Sequence, residues 1–123
     1  MSETLDALAR ELAGEEGTFL EAFFSARWDD QRFLRLARLL ALACRELEQA
    51  KVLDRALAAG VWYLDTTLTA RGRGHPFVEQ QPIDYLEDAL EKVSLLASWF
   101  FEGECPFEDP ALLDAEIDAL ARA

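Results

Sequence analysis

The chain has little of what small proteins use as staples or catalysts: two cysteines, one histidine and four prolines in 123 residues. Cys44 falls in an apolar stretch and Cys105 in a loop, with no metal or redox partner at short spacing, which excludes a disulfide framework and a zinc finger. A lone His75 excludes a dimetal carboxylate bundle, because that chemistry needs Glu-x-x-His on two helices. No apolar run approaches the roughly 18 residues of a membrane span; the longest, Leu39 to Cys44, belongs to a helix in which arginines recur. The N-terminus, MSETLDALARELAGEE, is acidic and amphipathic, whereas a signal peptide is basic and then uniformly apolar. A cytoplasmic protein with no cofactor and no metal is the expectation.

Positive charge is also scarce. Twelve basic residues face 24 acidic ones, for a net charge of −12, so binding to a nucleic-acid backbone or an anionic membrane is disfavoured and a basic partner is favoured. The imbalance is terminal. Residues 1–21 carry −5 and residues 83–123 carry −9, while residues 22–56 carry +2 and residues 57–82 are neutral.

What is present is helical periodicity over a chain that is 51% apolar, enough for one continuous core. Ser2 caps a first helix that Gly14 stops, and Thr18 with Glu21 has capping-box spacing ahead of Phe23 and Phe24. Asp29 or Asp30 caps a third helix, Gln31 to about Glu48. Its Phe33, Leu36, Ala37, Leu40, Ala43, Cys44 and Leu47 occupy more than half the circumference. A fourth helix, Val52 to Ala70, is equally apolar. A break near residues 48–51 is preferred to one long kinked helix, because the apolar face turns there by roughly a third of a turn. Pro82, with Asp84 and Glu87 in capping-box spacing, opens a fifth helix that runs to about Phe101 and ends at Gly103. Asp109 and Pro110 begin the last. Strand alternation and repeats are absent, and the expected fold is all-α: a single-domain bundle over residues 1–123, of five to six helices, with the third and fourth central and apolar.

Four features compete for a functional role. RGRGHPFVEQQP follows a helix instead of a strand and lacks the Walker lysine, so it reads as a connector. Gly72 and Gly74 stop one helix, and the loop side chains are expected to add little more. Arg32, Arg35, Arg38 and Arg45 form a stripe expected to pair with the carboxylates of neighbouring helices. Asp54 and Asp65 share a helix face but lie about 16 Å apart, too far to serve one reaction centre. Trp62 on the same strip is a lid on the core or a contact anchor.

The fourth feature is SWFFEGECPFEDP, which gathers aromatic residues among acids where only Phe100 satisfies the core period. Core packing competes with a binding role for these rings. Trp99, Phe101 and Phe107, rimmed by Glu102, Glu104, Glu108 and Asp109, have the composition of a site for a basic protein. With no catalytic constellation in the chain, the expected function is non-enzymatic: an interaction protein of the immunity, antitoxin or adaptor kind. The alternative is a sensor or carrier holding a small hydrophobic ligand near Trp62, Tyr63 and Trp99. Incomplete cover of the third and fourth helices adds the expectation of a homodimer.

Overall fold

In a computed structural model, residues 1–121 are described. The last two residues, assigned to the domain on sequence, lie outside that range. Seven helices follow in order: α1 (Glu3–Leu12), α2 (Phe19–Phe24), α3 (Asp30–Leu47), α4 (Arg55–Arg71), α5 (Phe77–Gln80), α6 (Ile83–Glu102) and α7 (Pro110–Asp118). The described residues contain no strand.

Side chains at the helix starts show why the boundaries fall where they do. Ser2, Thr18, Asp29, Asp54 and Asp109 each accept a hydrogen bond from a first-turn amide, satisfying a donor that the helix itself leaves unpaired. The Thr18 box is modified: Glu21 reaches back to the amide of Gly17 at 3.0 Å instead of that of Thr18. Asp54 is thus a cap, and α4 begins three residues later than the periodicity implied. The Asp84–Glu87 box does not form. Pro82 opens α6 without a side-chain cap, and Glu87 turns outward to Arg73 at 2.8 Å.

The long helices close a ring. α1 packs on α3, α3 on α6, α6 on α4 and α4 back on α1; α7 covers the outside of α3, and α2 wedges against α1 and α3. The second central helix is therefore α6. Ten of its side chains are buried, from Tyr85 to Phe100, against five on α4. The apolar residues of α4 are spread around its axis, and Trp62 and Tyr63 point to solvent.

Six aromatic residues fill one end of the bundle. Phe19, Phe23, Trp28, Phe33, Phe77 and Tyr85 are all buried; Phe23 and Phe77 stack at 4.4 Å, and the Trp28 indole donates to the Tyr85 hydroxyl at 3.1 Å. This corrects the reading of the 71–82 segment as a bare connector. Its Phe77 plugs the bundle, and Gln80 ties it to the α2–α3 turn, accepting from the Trp28 amide at 2.9 Å and donating to the Ala26 carbonyl at 2.7 Å.

Gly72 stops α4 in a right-handed conformation, so packing is what requires glycine there. A Cβ would stand 2.7 Å from Leu90 Cδ2 and 2.7 Å from the Leu68 carbonyl, whereas at Gly74 the nearest atom would be 3.5 Å away. Gly72→Val is expected to cost about 1–3 kcal/mol through overpacking, and Gly74→Val well under that. Urea unfolding of the pair checks it; equal costs would mean that backbone freedom decides both.

Candidate functional site

The C-terminal acids separate into two groups. On α7, Asp114 takes a two-pronged contact from Arg45 at 2.6 and 3.1 Å, Glu116 meets Lys92 at 3.0 Å, and Asp118 meets Arg38 at 2.9 Å. Lys92, expected on the polar side of its helix, is buried with its stem packed on the core. The arginine stripe of α3 is spent in the same way: Arg32 on Glu21 and Asp29, Arg35 on Glu11. All four arginines of the stripe are thus paired within the fold, with acids of α1, α2 and α7 and with Asp29 at the start of α3 itself.

The turn between α6 and α7 has no such compensation. Glu102, Glu104 and Glu108 are exposed and meet no cation among the described residues. Asp109 is committed as the α7 cap, accepting from the Ala111 amide at 3.0 Å. Gly103 enters the turn at φ 73°, and a Cβ there would lie 3.4 Å from the Glu48 carbonyl, so the turn sits tightly on the end of α3.

The aromatic residues assigned to this site divide. Trp99 is a core residue with 0% exposure, its Nε1 donating to Glu48 at 3.0 Å and the Arg45 guanidinium lying 5.3 Å from its ring centre. Its assignment as a contact residue is corrected. The helical period missed it because α6 is enclosed on adjacent sides, by α3 and α4, and so buries more than one stripe. Phe107 is half-buried against the core, with Cys105 beside it in sequence. Phe101 is the ring left outside, 44% exposed and edge-on to Phe100 at 5.3 Å. Leu112, on the first turn of α7, is also exposed. An apolar ring and an uncompensated acidic rim thus share one turn, and this surface can engage cations by charge and apolar side chains by contact.

Cys105 also lies near Cys44 of α3. Burial, then the neighbouring Cys105 and Glu48, push the Cys44 thiol up to about 12 against the opposing pull of Arg45, and its Sγ–H donates to the Leu96 carbonyl at 3.4 Å. The folded state therefore holds a neutral thiol where the unfolded chain ionises near 9.0. That contribution is full below pH 9.0 and is lost progressively as pH rises toward about 12. Chemical unfolding across this window should show stability falling more steeply in the native protein than in Cys44→Ala; identical slopes would reject a suppressed thiol.

The other candidates resolve plainly. His75 is exposed and, among the described residues, pairs only with Glu79, at 3.0 Å. Asp65 accepts from Ser94 Oγ at 2.8 Å and Asp54 is a cap, so the two are not a catalytic pair. Trp62 and Tyr63 face outward while Trp99 is packed inside, so the three do not line a common interior site. An open groove of about 700 Å³ runs between α1 and α3, lined by Arg10, Glu11, Glu15, Arg35 and Arg38 over Leu42. One oxygen of its buried Glu11 has no donor. Among the described residues no three side chains gather as a metal site, and no helix is long and apolar enough to cross a membrane. No family model, curated protein or solved structure matches the chain.

Proposed function

We propose that this protein is a non-enzymatic interaction module that binds a basic protein through the acidic α6–α7 turn, in the manner of a small immunity protein, antitoxin or adaptor. The observation that carries the reading is the distribution of ion pairs. All three acids of α7 are neutralised by Arg38, Arg45 and Lys92, yet Glu102, Glu104 and Glu108 are left open around the exposed Phe101. Uncompensated acids repel one another, and a basic surface relieves that repulsion. Glu3, Asp6, Glu15 and Glu16 are similarly unpaired among the described residues, but no exposed aromatic residue lies among them in the chain.

The contact set is then Phe101, Glu102, Glu104 and Glu108, with Leu112 alongside and Trp99, Phe107 and Asp109 as its support. A net charge of −12 leaves nucleic acid out of this reading. The two free cysteines agree with a cytoplasmic setting.

Capture from an extract of the native host tests it, with the protein and its Glu102→Lys, Glu104→Lys, Glu108→Lys variant immobilised side by side. A basic protein should be retained by the first, released as rising salt shortens the Debye length below about 8 Å, and not retained by the second. Retention of no basic protein, or equal retention by both, rejects the proposal.

A further inference from the structure

The turn entering α3 and the loop after α4 meet through Gln80, and a pocket of about 290 Å³ opens between them. Phe23, Phe24, Pro76 and Phe77 wall it, together with Arg71 and His75. The walls are fixed. Phe23 and Phe77 are buried and stack at 4.4 Å, and Gln80 Nε2 donates to the Ala26 carbonyl at 2.7 Å. Ala26, also in the lining, is held at φ 63°, a left-handed conformation that a residue with a Cβ adopts only where its surroundings impose it. Phe24 leaves 48% of its surface to solvent.

Charge sets this end of the bundle apart. Residues 22–28 and 71–78 hold Arg27, Arg71, Arg73 and His75 and not one acid, in a chain with 24 acids to 12 bases. Arg73 meets Glu87 and His75 meets Glu79, and neither acid lines the pocket. The Arg71 guanidinium lies 5.6 Å from the centre of the Phe23 ring and, among the described residues, meets no carboxylate and donates no hydrogen bond. A planar fork of N–H donors is thus held against an aromatic wall without an acceptor.

We propose that this pocket binds a small aromatic carboxylate, its acid on the Arg71 fork and its ring against Phe24 and Pro76. A carboxylate takes two parallel N–H bonds from a guanidinium, and the ring covers the exposed apolar wall. Inorganic phosphate would meet the same cation but give up hydration to walls that offer it nothing. The volume lies below the ~300–1,000 Å³ of drug-sized ligands, so one ring with its acid fills it. An anion is repelled by most of a molecule of charge −12, and the acid-free segments are where that repulsion is relieved. The inference is independent of the basic-partner reading, whose acidic turn lies at the other ends of α3 and α6.

An amide-resolved NMR titration of the full chain with sodium phenylacetate tests the assignment. Saturable shifts should centre on residues 22–28 and 71–78, with a dissociation constant of about 0.1–1 mM for a ligand of this size. Phenylacetamide, which keeps the shape and lacks the charge, should bind at least about tenfold more weakly, and acetate and inorganic phosphate should not saturate the same shifts. Arg71→Gln should weaken phenylacetate at least about tenfold, and Phe24→Ala severalfold. Both side chains are exposed, and unchanged thermal unfolding confirms that the variants fold; the comparison of acid with amide needs no variant at all. No saturable shift, shifts centred elsewhere, an amide, acetate or phosphate that binds as well as the acid, or full affinity in Arg71→Gln would overturn the proposal. A short peptide ending in phenylalanine that binds more tightly than phenylacetate would overturn its assignment to a small molecule.

Discussion

Trp99→Ala is expected to lower the unfolding free energy by about 3–5 kcal/mol, the range for deleting a fully buried large aromatic side chain. The ring has 0% exposure and sits on α6 against the C-terminal end of α3, the helix on which α7 packs. Its loss leaves a cavity, removes the donor to Glu48 and takes away the face on which Arg45 rests while it holds Asp114. The damage should therefore extend to α7, as early hydrogen exchange in residues 110–118. Phe101→Ala, two residues on and 44% exposed, should change stability by no more than about 1 kcal/mol. Guanidinium unfolding of both variants separates them, and a loss below about 1 kcal/mol at Trp99 would mean that the ring does not hold the helices together.

Reversing Glu102, Glu104 and Glu108 to lysine should act in the opposite way, weakening binding of a basic partner by at least about thirtyfold at low salt while leaving the fold intact. None of the three carboxylates has a cation to lose among the described residues, so their replacement breaks no ion pair. Each reversal adds two positive charges, which takes the chain from −12 to −6 and relieves self-repulsion; the melting temperature should stay level or rise slightly. Most of the lost affinity should appear in the association rate, with a flatter dependence on salt, because exposed charges steer encounter more than they hold the complex. Unchanged binding would remove the turn from the interface. A variant that unfolds would instead show that these acids carry structural contacts.

The acidic turn could be found in the sequence because charge needs no fold to be counted. Which acids remain uncompensated could not. Asp114, Glu116 and Asp118 look as available in the chain as Glu102, Glu104 and Glu108, and they are neutralised by residues of α3 and α6 that lie between 24 and 80 positions away. The same distance hid the role of Phe77: a short helix after a proline has no period to read, and its burial depends on Phe23 and Trp28, supplied by another part of the chain.

The sequence by itself determined the all-α class, the helix starts at Ser2, Thr18, Asp29 and Asp109, and the break between α3 and α4. These depend on hydrogen bonds across two or three residues and on a 3.6-residue period, both local quantities. Tertiary structure alone decided which apolar helix is central, which aromatic rings are inside and which charges are left open. Trp99 and Trp62 both sit on apolar helices, yet one is enclosed by α3 and the other faces water, since burial depends on what packs against a side chain and not on the residues next to it in sequence.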